Sequence, residues 1–105
     1  MDIRTDITAK RLAEHLDVDR LTLKVVEECM ELCEVLVKGL TKAEGFKPPV
    51  EKIIEEMGDV TFRMYCLAKK LQIEQAVETR VIEKGEQLDK WLDIKLKQES
   101  LPQAK

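Results

Sequence analysis

Val25-Val26-Glu27-Glu28-Cys29-Met30-Glu31-Leu32 and Ile53-Ile54-Glu55-Glu56-Met57-Gly58-Asp59-Val60 are one pattern written twice: two aliphatics, two glutamates, two spacers, an acid and an aliphatic. In an α-helix, positions i and i+3 stand about 60° apart on neighbouring ridges. Glu28 and Glu31 then project from one edge of one helix, and Glu56 and Asp59 from the matching edge of another. Each pair has the same offset from its apolar stripe. Two such stripes packed as a hairpin bring four carboxylates around one cleft at the border of the core.

Outward from these segments, apolar periodicity predicts four helices. The first runs from about Ile7 to Leu16, with Asp6 as N-cap and Ala9, Leu12, Ala13 and Leu16 on one face. Asp19 caps the second, which reaches about Lys38 and stops at Gly39, with Val25, Val26, Cys29, Leu32, Cys33, Leu36 and Val37 inward. A loop from Gly39 to Pro49 holds two glycines and Pro48-Pro49. The third helix spans about Val50 to Leu71, its core face being Val50, Ile53, Ile54, Met57, Val60, Met64, Leu67, Ala68 and Leu71. After a joint at Gln72-Ile73, the fourth runs from about Glu74 to Lys97, lined by Ala76, Val77, Val81, Leu88, Leu92 and Leu96. Short joints between long helices imply antiparallel neighbours. The expected fold is all-α, a four-helix antiparallel bundle. Its apolar faces exceed what one thin bundle buries, so homo-oligomerisation should complete the core.

Composition agrees. The chain has 105 residues, 44% hydrophobic, 37% charged and only 4% aromatic, with four Gly and three Pro. Such a mix favours helices over a β-sandwich. The length suits one domain over 1–105, with a core over about 6–97 and a frayed tail at 98–105. No apolar run reaches a membrane span and no signal sequence opens the chain, so a soluble cytoplasmic protein with no membrane partner is expected. A net charge of −3 argues against a nucleic-acid partner. Cys29, Cys33 and Cys66 read as reduced thiols serving as small core residues. Zinc on Cys29 and Cys33 would need two further ligands, and the one histidine, His15, is distant in sequence.

The acids themselves admit two readings. With 14 Glu in the chain, some clustering arises by chance, and Lys24 with Glu28 or Glu34 with Lys38 can form surface pairs. Yet Glu27, Glu28, Glu31 and Glu34 also oppose one another at i+3 and i+4, and each like-charge pair costs about 0.2–0.5 kcal/mol on an exposed helix. Converging carboxylates raise one another's pKa unless a cation neutralises them, and oxygen ligands suit Mg²⁺. The pattern alone leaves a metal site and a charged surface both open. Gly58, inside a helix between two of these acids, costs about 1 kcal/mol against Ala; close helix approach and plain packing are both open as its reason.

The segments Glu28-Cys29-Met30-Glu31-Leu32 and Glu56-Met57-Gly58-Asp59-Val60 resemble the E-x-x-E and E-x-x-D motifs of MazG-type nucleotide pyrophosphohydrolases, of the all-α NTP pyrophosphatase superfamily. Order, helix placement and the intervening loop fit, and the resemblance covers roughly Leu21 to Leu92. It implies a Mg²⁺-dependent enzyme, with Mn²⁺ as a substitute. Such an enzyme cleaves a (deoxy)nucleoside triphosphate between the α and β phosphates to monophosphate and pyrophosphate. It also implies a homodimer or dimer of dimers with active sites near the subunit interface. Carried over, Glu28, Glu31, Glu56 and Asp59 are the metal ligands, and Glu27 or Glu31 is the general base for a metal-activated water. A Lys after the second motif contacts phosphate in relatives, matching Lys84 best and Arg80 second. Arg63 stands where some relatives carry a base-stacking aromatic; phosphate, base, Glu56 and Asp59 are all within its scope. Relatives that prefer pyrimidine deoxynucleotides suggest such a substrate. The rivals are a dUTPase or phosphoribosyl-ATP pyrophosphohydrolase relative, and a helical adaptor whose metal site is unused.

Overall fold

The computed structural model describes residues 1–40, 45, 47 and 49–102. Among them lie four α-helices and no strand: α1 Ile3–His15, α2 Val18–Leu40, α3 Val50–Leu71 and α4 Glu74–Ser100. None of these helices is long and apolar enough to cross a membrane. Of the loop expected from Gly39 to Pro49, residues 41–44, 46 and 48 lie outside the described residues, as do 103–105 of the expected tail.

The ends of the helices follow their caps. Asp2, not Asp6, caps α1 by accepting the Thr5 N–H at 2.7 Å, so the helix begins a turn earlier than periodicity alone indicates. That leaves Asp6 inside the first turn, where a carboxylate suits the helix dipole. Likewise Asp17 accepts the Arg20 N–H at 2.8 Å and α2 starts at Val18, so Asp19 is a first-turn acid and not the cap. Gly39 does not stop α2: it is helical and buried. The α3 boundaries are those expected. Its C-terminus closes with Gln72 in the left-handed region (φ 57, ψ 41), while the Ile73 N–H reaches back to the Ala68 carbonyl at 3.0 Å. α4 runs three residues past Lys97, through the helix formers Gln98 and Glu99, so 98–100 are helical.

The chain divides into two compact units, Met1–Ile73 and Glu74–Lys105. In the first, α2 packs against α3 and α1 also packs on α3. The expected α2–α3 hairpin is present. Ala9, Leu21 and Cys66, one from each of α1, α2 and α3, form a core cluster, with Leu12, Leu16, Phe62, Tyr65 and Leu67 packed around them. The Tyr65 hydroxyl donates to Asp6 and the Lys69 ammonium lies 2.8 Å from the same carboxylate, a polar clamp between α1 and α3.

The apolar stripes prove wider than the intrachain contact. On α2, Val25, Cys29, Leu32 and Leu36 are half-buried, while Val26, Cys33 and Val37 of the expected core face are exposed. On α3, Val60 is buried and Ile53, Leu67 and Ala68 are half-buried, whereas Val50, Ile54, Met57, Met64 and Leu71 are exposed. One helix neighbour covers one side of a broad stripe and leaves the other. Cys66 alone of the cysteines is a buried core residue; Cys33 is exposed. Among the described residues nothing stands within 4 Å of a Cβ built on Gly58, so close approach within the hairpin is not its reason. The second unit is the α4 helix and the residues after it, and none of α4 is buried, including the expected inner side at Val77, Val81, Leu88, Leu92 and Leu96.

Candidate metal centre

Core positions on α3 recur as Ile53, Glu56, Val60, Arg63 and Leu67, steps of three and four that keep one face toward α2. Two members of that row are charged. Glu56 is buried, only 4% exposed, and Arg63 is half-buried. Across the hairpin Glu28 is half-buried as well. Buried charges are costly unless paired, and the structure shows how far pairing goes.

Glu56 Oε1 meets the Lys52 ammonium at 3.0 Å. Glu28 Oε1 faces the Arg63 Nε at a longer 3.9 Å. The second oxygens of both, Glu28 Oε2 and Glu56 Oε2, are buried without a hydrogen-bond partner among the described residues. Glu31, on the exposed edge of α2, completes a group in which one oxygen from each of Glu28, Glu31 and Glu56 lies within 4.8 Å of the others. The charge on Glu28 beside it, then desolvation, pushes the Glu31 carboxyl above its ordinary value. Lys52 is shifted up as well, first by its hydrogen bond to Glu56.

This donor set fits a hard divalent cation. All donors are carboxylate oxygens, and two carry orphan lone pairs that only a cation or a donor can satisfy. Two ligands at about 2.1 Å from one Mg²⁺ stand up to about 4.2 Å apart, so small side-chain adjustments suffice.

The other expected site residues are placed as follows. Asp59 is exposed on α3, one turn after Glu56, and is not part of the three-carboxylate group. Glu27 is exposed and pairs with Lys24 at 3.1 Å, where Lys24–Glu28 was the expected pair; Glu34–Lys38 forms as expected at 3.0 Å. Arg63 pairs with Glu28, a partner outside the set expected for it, because it points across the hairpin and not along its own helix. Arg80 and Lys84 lie on α4 beside Val77 and Val81, in the second unit, with Arg80 3.6 Å from Glu83. Lys52 was missed. Only part of its signal lies in the sequence: a base one turn before a motif glutamate, whose burial depends on the position of α2.

A family model described as MazG nucleotide pyrophosphohydrolase domain matches residues 17–92, most of the chain and both acidic helices. The chain belongs to the MazG family. No curated protein and no solved structure matches it significantly. The MazG family is one of nucleotide pyrophosphohydrolases, hydrolases of phosphoric anhydrides, the family that the paired motifs suggested.

Proposed function

We propose that this MazG domain is a Mg²⁺-dependent nucleoside triphosphate pyrophosphohydrolase that cleaves the α–β anhydride to monophosphate and pyrophosphate. One observation carries the reading: Glu28 and Glu56, each with a buried carboxylate oxygen that has no hydrogen-bond partner among the described residues, converge with Glu31. Each unsatisfied buried acceptor costs about 1–3 kcal/mol, a cost that a bound cation would remove at both second oxygens.

Glu28, Glu31 and Glu56 hold the cation. Asp59 is the fourth ligand, one turn from Glu56 and reached by a rotamer change once a cation is present. When bound, the ion neutralises phosphate oxygens and makes a nucleophile of water at neutral pH. Glu27, on the rim beside Glu31, or Glu31 itself is the carboxylate proposed to take the proton from that water. Arg63 restrains Glu28, and Lys84 and Arg80 are the cations proposed to bind phosphate. The assembly is a homodimer or dimer of dimers, supported by the uncovered halves of the α2 and α3 stripes.

The test is a panel of canonical-base and modified triphosphates, pyrimidine deoxynucleotides included, incubated with Mg²⁺ and resolved by chromatography, with ¹⁸O water locating the cleaved bond. Monophosphate and pyrophosphate are expected. Orthophosphate as the sole first product would refute the mechanism, and silence across the panel would favour an adaptor role.

A further inference from the structure

We propose that Lys52 is a tethered counter-ion that holds Glu56, one member of the metal site, in the resting state and must leave it before a divalent cation binds. The proposal rests on the metal-site reading above and adds a residue that opposes the metal.

The geometry is that of a hand-over. The Lys52 ammonium bridges two adjacent carboxylates on its own helix. It stands 3.0 Å from Glu56 Oε1, whose side chain is 5% exposed, and 3.4 Å from Glu55 Oε2, whose side chain is 59% exposed. Glu56 offers a buried binding place and Glu55 a solvated one. Lys52 is itself 46% exposed, so its flexible stem keeps the ammonium in reach of water. A divalent ion drawn to the orphan oxygens of Glu28 and Glu56 would stand within a few ångströms of that ammonium. Like charges repel, and the small cation approaches an oxygen to about 2.1 Å, closer than an ammonium can. The ammonium then yields Glu56 and keeps Glu55.

Helix support is a poor alternative explanation. In a helix, Lys four residues before Glu is the weaker order of an i,i+4 pair, and the pair here is directed at a buried acid. Arg63, which faces Glu28, is less suited to the role: its Nε lies 3.9 Å from Glu28 Oε1 and its side chain is less exposed than that of Lys52. Removing the lysine therefore removes a competitor. It should also leave Glu56 buried without compensation until metal arrives.

The experiment is a titration of the full chain with Mn²⁺ alone, without nucleotide, read by calorimetry and by the metal-induced shift in melting temperature. Lys52→Met should bind Mn²⁺ about five- to tenfold more tightly than the parent. Its metal-free form should melt lower, and its Mn²⁺-loaded form should recover the difference. Lys52→Arg, which keeps the charge, should return toward parental affinity. Lys52→Gln repeats the measurement should the Met variant fold poorly. Unchanged or weaker Mn²⁺ affinity in Lys52→Met or Lys52→Gln overturns the proposal. Failure of the metal-site reading looks different: the parent binds no Mn²⁺, or Glu56→Gln binds as well as the parent.

Discussion

Asp6 illustrates how a single side chain changes role when a cap lies elsewhere. Because Asp2 caps α1, Asp6 is available to accept from Tyr65 and Lys69 of α3, with the Lys69 ammonium also 4.7 Å from the centre of the Tyr65 ring. The hydrogen bond from Lys69, then that from Tyr65, holds the Asp6 carboxyl below its ordinary value of 3.8. The folded state thus binds the proton more weakly than the unfolded chain. Asp6 contributes stability above pH 3.8 and loses it as pH falls through its depressed folded value. Melting curves of the parent should drop below pH 3.8 more steeply than those of Asp6→Asn, which should start lower at neutral pH. Parallel curves would show that the clamp does not contribute. At the metal centre the sign reverses. Glu31 is pushed up by Glu28, so Glu31→Gln should raise the melting temperature without metal and weaken Mg²⁺ binding; a lower metal-free melting temperature would contradict mutual repulsion. The glutamate motifs were legible as residues at a spacing. That Glu56 is buried and Asp59 exposed was not, because both lie on one edge of α3 and only the position of α2 distinguishes them.

Among the elements, α3 carries a glycine where a helix former would serve and a glutamine where glycine would. Gly58 lies mid-helix with nothing within 4 Å of the Cβ it lacks. Gly58→Ala should therefore stabilise by about 1 kcal/mol in chemical denaturation. Gln72 sits at φ 57 as the C-cap, a conformation that disfavours a side chain by about 1 kcal/mol. Gln72→Gly should recover part of that while keeping the Ile73 to Ala68 hydrogen bond. A destabilised Gly58→Ala would mean that a surface other than the described residues around it approaches Gly58. Helix existence and the α3 limits could be read from periodicity and Pro49. The starts of α1 and α2 could not, because Asp2 and Asp6, or Asp17 and Asp19, are equivalent as cap residues by type. Only the observed bonds to Thr5 and Arg20 choose between them.

For the whole molecule, the uncovered half of α2 is itself ordered. Leu23, Val26, Met30, Cys33, Val37 and Leu40 are all exposed and follow one another by three, four, three, four and three. That is the repeat of a helix–helix seam, and an apolar row of this extent on a monomer is a mark of association. Sequence periodicity announced an excess of apolar surface but not its division, since the inward row Val25, Cys29, Leu32 and Leu36 has the same spacing. Light scattering at micromolar concentration should give at least twice the 12.1 kDa of the chain. Val37→Glu, which places a charge in the seam about two turns from Glu31, should reduce the mass to 12.1 kDa. Its Mn²⁺ affinity should nevertheless survive, because Glu28, Glu31 and Glu56 all belong to one chain and one hairpin. A parent that already scatters as 12.1 kDa would leave the seam without a second copy to cover it. Loss of Mn²⁺ binding on monomerisation would show instead that the three carboxylates need the partner to hold their geometry.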